Sequence, residues 1–303
     1  MSHNIADRII EESQKKKSAL VVGLDPNLEY FPKFLKRGTL SEIEDSLFQF
    51  NKIVIEAAHD LVPAIKPQFA FYEVYGSFGI RALERTIEYA RSKNLIVICD
   101  AKRGDIGSTS KAYADALLGD GPLGGDLVTV NPYLGEDGYL PFIEKAQKSQ
   151  KGLFLLVKTS NPSSADFQNQ TLSSGEELFI HFARKIAKLS EGTLGENGYS
   201  FIGAVVAANY VDEAIRVRGI LKNNIFLVPG YGAQGGKVED LAHYFDENGF
   251  GAVINSSRGI TYCYKERLPG WPEITEEEMF AMIREKVIAD NALINQVRLK
   301  EKR

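Results

Sequence analysis

The run Asp100-Ala-Lys102-Arg-Gly-Asp105 places two carboxylates around one ammonium, directly after the apolar stretch Leu95-Ile-Val-Ile-Cys99. Side chains two apart along a strand share a face, so Asp100 and Lys102 are expected to point the same way. Asp105 lies just past the strand, where the chain can bend and bring its carboxylate to the same ammonium or to a partner subunit. Two unit charges ~4 Å apart interact by roughly 4 kcal/mol at an effective dielectric of about 20. Clustered carboxylates therefore keep the lysine protonated and repel a further anion. That arrangement suits a site that removes a carboxylate and then donates a proton. A surface ion pair at a strand end is the structural alternative, and the rest of the chain bears on the choice.

A second constellation has the character of a phosphate site. Pro229-Gly-Tyr-Gly-Ala-Gln234-Gly-Gly236 follows the apolar run Ile225–Val228 and precedes an expected helix through His243. Small residues expose backbone N–H groups, and a helix N-terminus adds partial positive charge for an anion. Asn255-Ser-Ser-Arg258-Gly follows the next run and brings hydroxyls and a guanidinium suited to bidentate phosphate contact. One glycine-rich turn is more often only a turn; two at neighbouring strand ends, one of them carrying Arg258, favour phosphate. Asp25, in Gly23-Leu-Asp25-Pro, and Lys66, in Ile65-Lys66-Pro-Gln68, have the chemistry to hold the diol of a sugar. Each is alternatively a member of a structural salt bridge. His3, His59, His181 and His243 are scattered and form no ligand pair, so no metal site is expected.

The elements that must position these residues follow from eight short apolar runs. They are Leu20–Leu24, Ala64–Ile65 leading into Lys66, Leu95–Cys99, Leu127–Val130, Leu153–Val157, Phe201–Ala207, Ile225–Val228 and Ala252–Ile254. Continuous apolar character marks parallel strands covered on both faces. Helical periodicity fills the stretches between, as over Ser41–Asp60 and Ser77–Lys93, with Ser41 and Glu44 at capping-box spacing. Eight such units predict one (β/α)8 TIM barrel, an α/β fold spanning residues 1–303 as a single domain. Residues 270–303 are expected to add a helical extension packed on its exterior, opened by a capping box at Thr275 and Glu278. Polar residues, Pro or Gly end nearly every run, and barrels of this type carry their chemistry at the C-terminal strand ends. The longest interruption, from Asn161 through Ser174-Gly175, reads as a solvated loop whose first residues could close over a ligand.

Composition narrows the partners. The 303 residues are 44% hydrophobic, enough for a large core, and the net charge of −4 comes without a long basic tract. Nucleic acid and anionic membranes are therefore not expected as partners. No apolar run reaches the ~18–20 residues that cross a bilayer, and the N-terminus lacks a signal-peptide pattern. Two cysteines, Cys99 and Cys263, make no disulfide framework. A cytoplasmic location is the expectation.

Taken together, these residues resemble the orotidine 5′-phosphate decarboxylase family, in particular its longer bacterial-type branch. The resemblance runs from about Val22 to Arg258. It rests on Gly-Leu-Asp25-Pro, Lys66-Pro, Asp100-Ala-Lys102-Arg-Gly-Asp105-Ile-Gly, Asn131-Pro-Tyr, Lys158-Thr-Ser-Asn-Pro, Pro229-Gly-Tyr-Gly-Ala-Gln234 and Ser257-Arg258-Gly. It implies decarboxylation of orotidine 5′-phosphate to UMP and carbon dioxide, with no cofactor and no metal. By similarity, Lys102 would protonate C6 of the pyrimidine, held by Asp100. Asp105 would reach the site of the other subunit of a homodimer, with Thr109 helping at the ribose. Asp25 and Lys66 would bind ribose hydroxyls, Thr159 and Ser160 would contact the pyrimidine, and Gln234 and Arg258 would hold the phosphate. Gln68 occupies a place where members of the family can carry another polar residue.

Other readings stay open at this point. A decarboxylase or aldolase of another sugar phosphate on the same barrel would call for magnesium, or for a Schiff base at Lys102 or Lys158. A catalytically silent nucleotide-binding barrel would retain the phosphate residues and lose the charged set.

Overall fold

Each apolar run forms a strand, and side chains pack against both of its faces. The computed structural model describes residues 3–36, 38–232 and 235–299. The strands are β1 Leu20–Leu24, β2 Ala64–Pro67, β3 Ile96–Arg103, β4 Leu127–Val130, β5 Gly152–Lys158, β6 Ser200–Val206, β7 Asn224–Val228 and β8 Ala252–Ser256. All are parallel, in the order β1 to β8, and β8 returns to pair with β1 through Leu20 and Ile254, closing the barrel. Every residue of β1, β2, β4, β6, β7 and β8 is buried. This is why the runs lack an inside–outside alternation. The expected (β/α)8 fold is the observed one.

Helices surround the barrel, and their ends follow local signals. Thr39, not Ser41, caps the helix Leu40–Ala58: its hydroxyl accepts from the Glu42 N–H while Glu42 reaches back to the Thr39 N–H. The capping box therefore starts two residues before the expected one. Thr275 and Glu278 do form the expected box, at the start of the helix Glu276–Arg298. That helix buries Met279, Ile283, Val287, Ile294 and Val297, each contributing roughly 1.5–3 kcal/mol relative to exposure. Polar contacts tie it to the barrel's lower rim. Arg284 grips both Asp60 oxygens, at 2.8 and 2.7 Å, and Asn291 donates to the Leu61 carbonyl at 2.9 Å.

The N-terminal helix Ile5–Lys15 lies against the opposite end of the barrel from the strand-end cluster. Asp7 is fully buried there and accepts from the N–H groups of Asn4, Glu196 and Asn197, at 2.8, 3.0 and 2.6 Å. Gly195 lies so near that a Cβ would come within 2.1 Å of the carboxylate.

Two of the expectations about loops change. The stretch after β5 is not simply a solvated loop. It contains a 3-10 turn, Pro162–Ser164, and a helical turn, Ala165–Gln168, and closes with an antiparallel bridge between Thr171 and Glu177. The helix expected through His243 is a 3-10 helix, Glu239–Tyr244. Leu241 and Tyr244 are both buried, and a three-residue repeat puts them on one line against the barrel. No helix of the described residues is long and apolar enough to cross a membrane.

Candidate active site

The C-terminal ends of the strands surround a cavity of about 320 Å³ lined by Asp25, Lys66, Gln68, Asp100, Lys102, Thr159, Ser160 and Arg258, among others. These residues come from the ends of β1, β2, β3, β5 and β8, which the closed barrel converges on one face.

At its centre, Asp100 fills both oxygens. Oδ2 accepts from Lys66 Nζ at 2.5 Å and Gln68 Nε2 at 3.0 Å; Oδ1 accepts from Lys102 Nζ at 2.6 Å and Thr129 Oγ1 at 3.0 Å. Four donors saturate a carboxylate. Burial by itself would raise the Asp100 carboxyl, but Lys66 and Lys102 prevail and hold it well below the usual carboxylate range. Burial would likewise discharge Lys66, yet Asp100 and Asp25 raise it above an ordinary lysine. Asp25 goes the other way. Burial raises it, Lys66 offsets only part, and the nearby Asp100 charge adds to the rise. Its Oδ1 has no hydrogen-bond partner among the described residues, nor does Oδ1 of Asn255 in the same cavity wall. Both are buried acceptors that the described residues leave without a donor.

The pairing of Asp100 with Lys102 does not come from simple strand alternation. From Cys99 to Arg103 β3 advances four residues, while β4 advances two, from Val128 to Val130. The excess bulges out, with Lys102 in the left-handed region at φ 46°. Bulges beside active sites re-aim side chains in this way. Thr129 sits opposite the bulge and holds it, accepting from the Lys102 N–H at 3.0 Å while donating to Asp100. Sequence reasoning missed this contact. Its only signal is one hydroxyl inside the apolar run Leu127–Val130. The two lysines then differ in access: the Lys66 side chain is 5% exposed and that of Lys102 44%.

At the ends of β7 and β8, Gly230, Tyr231 and Arg258 line the cavity. Gly230 and Gly232 have φ of 93° and 72°, which L-residues resist, and the turn folds back through a bridge between Tyr231 and Gly236. Gln234 lies outside the described residues. Gly23 makes room for the β8 end: a Cβ there would lie 1.8 Å from Ser257 Oγ. Tyr262, also unforeseen, ties down the Asp25 turn by accepting from the Asn27 N–H and donating to the Asp25 carbonyl, at 2.7 and 2.8 Å.

Asp105 and Thr109, expected at the partner's site, and Lys158, named only for the Schiff-base alternative, lie outside this cavity. The Asp105 carboxylate accepts from the Ile106 N–H at 2.8 Å and makes no ion pair with Lys102 in this chain. Lys158 is turned outward. Its ammonium donates to Asn169 at 2.5 Å and lies 4.4 Å from the Tyr210 ring centroid, so it does not enter the cavity as a Schiff-base amine would. A larger cleft of about 650 Å³ opens between the β4 and β5 loops, sharing Thr159 and Asn161 with the cavity but containing none of its paired charges.

Known proteins resemble this chain in sequence and in fold. The profile of the orotidine 5′-phosphate decarboxylase / HUMPS family matches residues 18–266. An orotidine 5′-phosphate decarboxylase of Caldicellulosiruptor saccharolyticus is 45% identical over 277 residues, 86% of this chain and 90% of that one. A Toxoplasma gondii structure, described as a candidate orotidine-monophosphate decarboxylase, superposes with a TM-score of 0.82 at 30% identity, covering 98% of this chain and 96% of its own. The Leishmania donovani OMP decarboxylase structure gives a TM-score of 0.70 at 30% identity, covering 94% of this chain and 99% of its own.

Proposed function

The chain belongs to the orotidine 5′-phosphate decarboxylase / HUMPS family, and from that premise we propose how its strand-end cavity decarboxylates orotidine 5′-phosphate to UMP and carbon dioxide, a step of pyrimidine biosynthesis. The observation that carries the mechanism is the Asp100 carboxylate with one ammonium on each oxygen.

Loss of carbon dioxide leaves an electron pair in the plane of the ring at C6, where the π-system cannot delocalise it. Lys102 Nζ meets that charge as it develops and transfers a proton to C6, completing UMP as the C6–carboxylate bond breaks. Asp100 orients the ammonium and lies against the substrate carboxylate. Lys66 is enclosed between two carboxylates and remains an electrostatic fixture, bonding a ribose hydroxyl. Asp25, with its unpartnered oxygen, accepts from the ribose. Arg258 and Gln234 hold the phosphate together with the glycine turn. Binding energy from these remote groups positions the carboxylate. Thr159 and Ser160 face the pyrimidine.

The functional unit is a homodimer in which Asp105 and Thr109 complete the partner's site. Support comes from the exposed apolar residues beside them: Ile106, Tyr113, Tyr133 and Leu134 all stand in solvent on the elements that follow β3 and β4. Such clusters mark association surfaces. Residues 270–299 belong to the same domain as an extension of the barrel.

Loss of orotidine 5′-phosphate absorbance in the presence of EDTA tests the assignment. Turnover is expected; a well-folded protein that turns over only another phosphorylated sugar, with magnesium added, would move the assignment to that substrate.

A further inference from the structure

We propose that Gln168 is a positioning residue for the pyrimidine-facing end of β5, holding Thr159 so that Ser160 presents its hydroxyl to the ring; this rests on the assignment of Thr159 and Ser160 made above. Gln168 uses both ends of its amide on one residue. Its Oε1 accepts from the Thr159 N–H at 3.0 Å, and its Nε2 donates to Thr159 Oγ1 at 2.7 Å. A backbone N–H can only donate, so the amide has one orientation. Thr159 Oγ1 then gives its own proton to Asn161 Oδ1, at 2.7 Å. The N–H and the hydroxyl proton of Thr159 are thus both committed inside the protein. Ser160 differs. Its carbonyl accepts from Asn209 at 3.1 Å, while its hydroxyl has no partner among the described residues and the residue lines the cavity.

The strand itself does not supply this order. Against β6, β5 slips between Leu156 and Lys158, and the last ladder bond runs from the Ala207 N–H to the Lys158 carbonyl at 2.9 Å. Beyond it the Thr159 N–H has no neighbouring strand to pair with, and the Gln168 side chain takes that place. Gln168 is in turn braced by its neighbour. Asn169 accepts from Lys158 Nζ and donates to Glu177 at 3.0 Å, and Glu177 pairs with Arg216 at 2.5 Å. Two adjacent loop residues therefore hold two adjacent strand-end residues, and the loop returns to the barrel wall through the Leu178 N–H on the Gln170 carbonyl. An amide contact this local acts on the ring end of the substrate and leaves the phosphate and ribose groups, on β1, β2, β7 and β8, in place.

The test compares Gln168→Met, of similar length but without donor or acceptor, with Gln168→Glu. The carboxylate can still accept from the Thr159 N–H and can take the hydroxyl proton. In the Met variant kcat/KM for orotidine 5′-phosphate should fall about ten- to hundredfold. UMP should bind more weakly by calorimetry, ribose 5-phosphate should bind as to wild type, and the Glu variant should recover most of the loss. A Met variant within twofold of wild type, one that weakens ribose 5-phosphate as much as UMP, or one that fails to fold would each overturn the proposal. If wild type itself turns over no orotidine 5′-phosphate, the functional reading fails. The calorimetric comparison of UMP with ribose 5-phosphate then still decides the role of Gln168.

Discussion

Lys66 donates to Asp100 at 2.5 Å from the neighbouring strand, on the oxygen opposite the one that Lys102 occupies. The two ammoniums are therefore not interchangeable. Lys66 lies almost wholly buried in the cavity wall and neutralises buried carboxylates, whereas Lys102 stands on the bulge of β3 with an open face toward the cavity.

Removing Lys66 should consequently damage the fold as well as the activity. Lys66→Met leaves Asp100 and Asp25 with one fewer countercharge in a buried setting, and breaking such a pair costs about 3–5 kcal/mol. Urea unfolding should show that loss. A midpoint unchanged from wild type would mean that the Lys66 ammonium is not needed to keep these carboxylates buried.

Asp25 and Asp100 should act on stability in opposite directions as pH changes. The Asp100 pKa is depressed, so its contribution is complete above its unfolded value near 3.8 and is lost as pH falls toward the lower folded value. The Asp25 pKa is raised, so the folded state holds that proton more tightly, and stability declines as pH rises from about 3.8 through the folded value. Asp25→Asn should therefore be at least as stable as wild type at pH 7 in urea titrations, while KM for orotidine 5′-phosphate rises about tenfold through the lost ribose contact. A variant clearly less stable than wild type at pH 7 would contradict this sign.

Arg258 should act on the phosphate alone. Arg258→Ala is expected to lower kcat/KM for orotidine 5′-phosphate by about ten- to hundredfold, the range of a charge-assisted hydrogen bond. Turnover of orotidine, which has no phosphate, should change little. Equal losses on both substrates would place Arg258 in the architecture of the site instead.

If Asp105 serves the partner's site, two inactive variants should rescue one another. Mixing Lys102→Ala with Asp105→Ala gives hybrid dimers in which one site carries both changes and the other carries neither. Random reassortment should restore about a quarter of wild-type activity. A mixture as inactive as its components, with exchange verified by mass spectrometry, would rule out a shared site.

Much of this was legible in the sequence because continuous apolar runs report strands buried on both faces. β1 and β4 have the expected bounds, and the polar residues at the strand ends converge as barrel geometry requires. What was not legible depends on tertiary pairing. The excess of β3 over β4, and hence the left-handed Lys102, exists only when the two strands are side by side. Thr129 looks like any β-branched strand residue until Asp100 lies against it. Gln168 and Asn169 sit in a polar stretch whose composition says loop, and only their contacts with Thr159 and Lys158 show that the stretch is ordered. Asp105 is written in the motif, yet a single chain leaves it outside the cavity.

The central claim is that Lys102 delivers the proton while Asp100 holds it in place. The most direct test follows orotidine 5′-phosphate decarboxylation by wild type and Lys102→Ala, in EDTA, with folding verified by circular dichroism. The Lys102 side chain is half exposed, so the variant should fold normally and lose at least about 10³-fold in kcat, as expected when a general acid and its charge are both removed. A folded Lys102→Ala protein that keeps kcat within tenfold of wild type would contradict the mechanism.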